Sequence, residues 1–298
     1  MSSSLTLAEQ LARAVELKAV SDSPELDLQL LLCSVLDKPR SYLYTWPKRS
    51  LRPEQQQQFE QLLQRRLDGE PIAHILGQQD FWTLTLEVNS STLIPRPETE
   101  QLVELALKVG EQLGEQCETA TLRVADLGTG TGAIALALAS EQPGWQISAV
   151  EFSPDAAALA ERNRQRLRLM NVEVLRGSWC EPLSGRFDLI ISNPPYIDAT
   201  DPHLSQGDVR FEPSSALVAA QQGLADIQTI TEQALDHLNP GGWLMFEHGF
   251  EQGEPVRELL RRAGYQQVET HRDLAGHERA TVGQLPLTGE SNTGDAQP

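Results

Sequence analysis

Cysteine is scarce: Cys33, Cys117 and Cys180 are the only three in 298 residues, far apart and without a CxxC pair. That excludes a disulfide framework and a zinc ribbon, and fits reduced thiols in a cytoplasmic protein. No apolar run approaches the length that crosses a bilayer, so no membrane contact is expected. The opening MSSSLTLAEQ has neither a basic leader nor an apolar h-region, so no secretory signal is expected. Positive charge is also short: 24 Lys and Arg face 42 Asp and Glu, for a net charge of −18. Binding through phosphates needs a basic surface, so direct nucleic-acid binding is disfavoured. Arg65, Arg66, Arg261 and Arg262 are read as residues of solvated helix faces. His74, His203, His248 and His271 are scattered without metal-site spacing and read as structural, so no metal is expected. There is no internal repeat, and no coiled-coil pattern or obvious apolar patch, so a monomer is expected.

What is present supports a packed core, with 40% hydrophobic and 22% charged residues. The first third reads as helices. TLAE at Thr6–Glu9 fits a capping box, with Leu7, Leu11, Ala14 and Val15 following at helical spacing. Ser23 is an expected N-cap before Pro24 at the first helical position, and a further helix is expected over Arg52–Leu67. Residues 1–75 thus form a small helical bundle, and 76–100 a β-hairpin or extended linker, with the hairpin itself placed at 81–96. From about 120, short β-rich runs alternate with helical stretches: strands at 122–127, 145–151, 172–177, 187–192 and 242–249, and helices at 133–140, 154–169, 223–238 and 254–263. Two last strands fit 266–272 and 279–284. This alternation predicts an α/β fold over 101–284: a Rossmann-like, doubly wound, mostly parallel sheet with an antiparallel edge hairpin. Residues 285–298 read as a disordered tail.

The stretch VADLGTGTGAIALALA places Gly128, Gly130 and Gly132, with Thr129 and Thr131 between them, where the first strand of that sheet meets its helix. Glycines there let the backbone approach a ligand. Glu151 ends the next strand, 19 residues after Gly132, where doubly wound folds place a carboxylate for ribose hydroxyls. The six-residue dinucleotide fingerprint does not fit, and no GKS or GKT follows the glycines. Asp126 adds a carboxylate that would repel a pyrophosphate but suit a cation. The implied ligand is a positively charged adenosine without phosphates, which S-adenosylmethionine satisfies.

The fourth strand, FDLIIS, runs into Asn193-Pro194-Pro195-Tyr196. Two prolines cannot continue a central strand. They can fix where a carbonyl points. The Asn193 side-chain oxygen and the Pro194 carbonyl form a plausible acceptor pair for the two hydrogens of a conjugated NH2 group, aiming its lone pair at a methyl donor. Tyr196 offers a flat face for a planar amide or base. A plain turn is the bland alternative.

DLGTGTGAIA and SNPPYI together resemble the class I S-adenosylmethionine-dependent methyltransferases that act on planar NH2 groups. With GEPIAHILG (69–77), TLIPRPETE (92–100), DPHLSQGDVRFEP (201–213) and GGWLMFEHG (241–249), the chain resembles the bacterial release factor N5-glutamine methyltransferases over nearly all of residues 1–284. The resemblance implies methylation of the glutamine amide in the Gly-Gly-Gln motif of release factors, with the N-terminal bundle recognising that partner. It also implies that Gly128–Gly132 cradle the methionine part of the cofactor, Glu151 holds the ribose and Trp179 packs near the adenine. Asn193–Tyr196 would bind the glutamine amide, with Arg96 and Glu98 at the site. That family usually has Asp at the position of Glu151, and often Asp at that of Ser178. The alternatives are a ribosomal-protein glutamine methyltransferase, a nucleic-acid amino methyltransferase and a noncatalytic cofactor-binding module. RPETE disfavours the first of these, the acidic balance the second, and the intact tetrapeptide the third.

Overall fold

The computed structural model describes residues 5–116, 121–205 and 207–287. Cys117 and residues 288–298 of the expected tail lie outside them. The chain divides into two compact units: residues 1–78, 88–90 and 202–212 form one, and 79–87, 91–201 and 213–298 the other.

The first unit is helical. It comprises α1 (Leu7–Leu11), which continues as a 3-10 turn over Ala12–Leu17, then α2 (Pro24–Leu36), α3 (Arg40–Thr45), α4 (Pro53–Leu67) and α5 (Ile72–Leu76). The expected capping box is present: Glu9 N–H donates to Thr6 Oγ1, and Thr6 N–H to Glu9 Oε2. Ser23 holds the N-cap position of α2, but its side chain makes no capping bond. Leu7, Leu28, Leu31, Leu32, Leu43, Phe59 and Leu63 fill the core of this unit. Arg66 departs from expectation. It is not on a solvated face but 4% exposed, donating to Asp27 Oδ2 at 2.6 Å and to the carbonyls of Val20 and Glu70. It also reaches Asp208 Oδ1 at 3.3 Å, so the 202–212 segment is held by the helices of its own unit. A guanidinium buried this deeply persists because its fork of donors is satisfied.

In the second unit, β1 (Gln78–Phe81) and β2 (Leu84–Glu87) form a hairpin, several residues earlier than the sequence suggested. A helix that sequence reading overlooked follows: α6 (Glu100–Gln116). Its Leu102, Val103, Ala106 and Val109, at helical spacing, are buried against the sheet. The remaining elements are β3 (Arg123–Leu127), α7 (Ala133–Glu141), β4 (Gln146–Glu151), α8 (Pro154–Leu167), β5 (Val172–Arg176), β6 (Phe187–Ser192), the single turn α9 (Ala220–Gly223), α10 (Ala225–His237), β7 (Leu238–Glu247), α11 (Gly253–Arg262), β8 (Gln266–Arg272) and β9 (Glu278–Gln284).

The seven strands lie in the order β5-β4-β3-β6-β7-β9-β8, parallel except for β9, which runs antiparallel to both β7 and β8. Leu189 and Ile191 face one apolar layer, with α6 and α7; Ile190 faces the other, with α10 and α11. Burial on both faces explains the unbroken apolar run of β6. The strand order reverses between β3 and β6, and ligands of doubly wound sheets sit beyond the carboxyl ends at that switch point.

Candidate active site

β3 ends where its successors leave the extended region. Gly128, Gly130 and Gly132 have φ of +75°, +56° and +87°, which glycine adopts without a Cβ penalty. A Cβ at Gly132 would lie 2.8 Å from Leu136 Cδ1, and one at Gly128 3.2 Å from the Trp179 ring. The loop is pinned to β4, because the N–H groups of Gly128 and Thr129 both donate to Val150 O at 2.9 Å. Glu151 adds a second anchor: its Oε2 accepts from Gly130 N–H at 2.9 Å and its Oε1 from Ser153 N–H at 2.8 Å. Each oxygen keeps a lone pair for a further donor.

Asp126 lies under the loop, 1% exposed. Its Oδ2 accepts from Thr129 Oγ1 at 2.5 Å and from Ala135 N–H at 3.2 Å, while its Oδ1 has no partner. Burial pushes its carboxyl up to about 6, against the pull of those hydrogen bonds; the nearby Glu151 pushes the same way as burial. An orphaned acceptor beneath a glycine cradle suits a cationic ligand, as S-adenosylmethionine is, and disfavours a pyrophosphate.

Ser192 ends β6 and ties it to β3 by donating its Oγ proton to Leu127 O at 2.7 Å. Leu127 pairs with Ser192 across these strands, so Gly128 and Asn193 leave the sheet side by side. Asn193 Nδ2 donates to Thr99 Oγ1 at 3.1 Å. The next pairing, Ser192 with Phe246, puts Asn193 beside Glu247 at the end of β7.

Of the residues singled out from sequence, Gly128, Thr129, Gly130, Thr131, Glu151, Ser178, Trp179, Asn193, Pro195 and Arg96 line one cavity of about 330 Å³. The others are not part of its wall. Asp126 and Pro194 are buried and Glu98 is exposed. Gly132 caps the start of α7. Tyr196 is half-buried; desolvation raises its hydroxyl pKa, and its Oη makes a long contact of 3.5 Å to Glu247 Oε1.

Sequence reading missed several neighbours. Phe152, 75% exposed, lines the cavity directly after Glu151. Thr92 and Thr99 line it from the segment before α6. Glu247 is 4% exposed, and burial, against the influence of Thr99, pushes its carboxyl up to about 7. A lone carboxylate closing the apolar run WLMFE was the available signal, the same one that pointed to Glu151. Among the described residues no group of side chains is arranged to hold a metal ion. His248 bridges Thr281 Oγ1 and Gly249 O.

Two family models match the chain: the PrmC N-terminal domain over residues 9–77 and the methyltransferase small domain over 110–209. A release factor glutamine methyltransferase of Vibrio cholerae is 53% identical, covering 97% of this chain and 100% of its own. One of Pseudomonas aeruginosa is 57% identical over 89% of this chain and 94% of its own. A methyltransferase structure from Pyrococcus furiosus superposes with a TM-score of 0.51 at 19% identity, covering 76% of this chain and all of that one; at that identity the likeness concerns the fold.

Proposed function

Because the chain belongs to the release factor glutamine methyltransferase family, we propose that it methylates the side-chain amide nitrogen (N5) of the glutamine in the Gly-Gly-Gln motif of peptide-chain release factors. The observation that carries this reading is the cavity itself, in which a glycine loop backed by Glu151 and Asp126 stands beside Asn193 at the β3/β6 switch point. S-adenosylmethionine, when bound, supplies an electrophilic methyl group on a sulfonium. Gly128–Gly132 give it room, Glu151 offers lone pairs to its ribose hydroxyls, and the carboxylate of Asp126 favours its positive charge. Trp179 and Phe152 supply the apolar walls that an adenine requires.

Asn193 Oδ1 and the Pro194 carbonyl accept the two N–H hydrogens of the substrate amide. That withdraws the nitrogen lone pair from resonance and directs it toward the methyl. The stiff Pro194–Pro195 pair keeps those acceptors from reorganising during transfer. Held there, the cofactor would give up its methyl and keep the C–S electrons on sulfur, and one of the two amide protons held by Asn193 Oδ1 and the Pro194 carbonyl would pass to water. Arg96, on the cavity wall, and Glu98 contact the substrate side, and residues 1–75 recognise the release factor. The 76–100 linker joins them to the catalytic domain at 101–284.

The protein works as a cytoplasmic monomer without direct nucleic-acid contact. Among the described residues no helix is long and apolar enough to cross a membrane. The test is to incubate the protein with labelled S-adenosylmethionine and, separately, a release factor, a ribosomal protein, DNA and RNA. Label on the release factor that disappears when its Gly-Gly-Gln glutamine is replaced is the expected result. Label only on ribosomal protein or nucleic acid overturns the proposal.

A further inference from the structure

The carboxamide of Asn193 has two ends, and only one serves the transfer. Its oxygen must face the substrate amide, because an NH2 end there would meet donors with donors. Something must therefore hold the other end. The partner of Asn193 Nδ2 is Thr99 Oγ1, at 3.1 Å. A hydroxyl that accepts from Nδ2 keeps its own proton for another acceptor.

Glu247 stands next to this pair. It is 4% exposed and is not part of the cavity wall. Its Oε1 faces the Tyr196 hydroxyl at 3.5 Å. Its Oε2 has no partner in hydrogen-bonding geometry, yet the Thr99 hydroxyl and the Asn193 amide are near enough to favour its ionised form. The charges facing it are Arg279 on β9, which favours ionisation, and Glu98, which opposes it. A buried carboxylate with a free oxygen, beside the Tyr196 hydroxyl and next to the strand end that carries the key amide, has no packing rationale, because an apolar side chain would fill the same space without the desolvation cost.

We propose that Glu247 is a positioning residue for the transfer: through the Thr99 hydroxyl it selects which end of the Asn193 carboxamide faces the cavity. Ionised, Glu247 only accepts, so Thr99 donates to it and presents a lone pair to Asn193 Nδ2. Oδ1 is then left for the substrate. Protonated, Glu247 can donate to Thr99, whose proton turns toward Asn193, and the carboxamide flips its NH2 end into the cavity. The inference rests on the amide-transfer reading above.

Four variants and one spectroscopic measurement test it. Glu247→Gln, which replaces an acceptor-only carboxylate by a carboxamide able to donate to Thr99, is expected to lower kcat on the order of 10²-fold while KM moves little. Thr99→Val is expected to do the same, and Thr99→Ser, which keeps the hydroxyl, to recover most of that loss. In the wild type kcat is expected to rise with pH through the Glu247 titration, about 7, and Glu247→Gln to lack that rise. Should Glu247→Gln fail to fold, the Thr99 pair carries the test on an intact carboxylate. A Thr99→Val enzyme with wild-type kcat, or a Glu247→Gln enzyme with the wild-type pH profile, overturns the proposal. A readout independent of turnover separates this failure from failure of the functional reading. The Asn193 side-chain NH2 resonances, assigned by their loss in Asn193→Asp, should move with the Glu247 titration in the wild type and stay still in Glu247→Gln. Resonances that stay still in the wild type also overturn it, whether or not release factor is methylated.

Discussion

Replacing Glu247 by Gln should make the protein more stable at alkaline pH while making it a poorer enzyme. The two side chains have nearly the same shape, so the change mainly removes a charge. Glu247 is 4% exposed, and its carboxyl is displaced from the ordinary 4.5 to about 7, chiefly by burial. Well below pH 4.5 the group is neutral in both the folded and the unfolded chain and has no effect on their balance. Between 4.5 and 7 the unfolded chain ionises freely while the folded chain resists, so folding loses ground as pH rises. Above 7 the loss is complete, and it amounts to about 3 kcal/mol for a displacement of this size. The variant has no such loss. Urea denaturation of both proteins from pH 4.5 to 8.5 measures it, because titration of all other groups cancels in the difference. The stability difference should swing toward the variant by about 3 kcal/mol, with its midpoint between the two pKa values. A difference that stays constant to within about 0.5 kcal/mol across that range would show that Glu247 is not desolvated in solution.

Two further outcomes follow from other parts of the molecule. Asn193→Ala should bind S-adenosylmethionine with near wild-type affinity in calorimetry but lose roughly 10²–10³-fold in kcat, since it removes an acceptor used in the transition state; turnover near the wild-type value would refute the acceptor role. Arg66→Ala leaves Asp27 buried without its partner and should cost about 3–5 kcal/mol in the helical unit, visible in denaturant unfolding followed by far-UV circular dichroism, whereas Arg262→Ala, at an exposed helical pair, should change stability by less than about 1 kcal/mol.

The bounds of most sheet strands were legible because their patterns are local, whereas β7 runs over Leu238–Glu247 and not the expected 242–249. FDLIIS needed nothing beyond its apolar run and the prolines after it, and it spans Phe187–Ser192 in the structure. The two last strands likewise fall at Gln266–Arg272 and Glu278–Gln284. The α6 helix was readable in principle from Leu102, Val103, Ala106 and Val109, but the half-buried Leu105 and Leu107 between them blurred the period. The hairpin moved from 81–96 to 78–87 because its register is set by contacts distant in sequence: Trp82 N–H and Nε1–H donate to Glu100 and Glu141, respectively. Arg66 looked like a surface residue because nothing in its neighbourhood along the chain announces Asp27 or Asp208.

The sequence by itself determined the chemistry of this protein. A glycine loop after one strand, a carboxylate after the next and Asn-Pro-Pro-Tyr after the fourth are local facts, each expressed in the backbone freedom or stiffness of a few consecutive residues. Tertiary structure alone decided which of those groups meet. Strand register sets Asn193 beside Gly128 on one side and Glu247 on the other, and folding brings Thr99, from the segment before α6, against the same amide. Burial is likewise a property of the assembled fold, and burial is what turns Asp126 and Glu247 from ordinary acids into groups that hold their protons toward neutral pH.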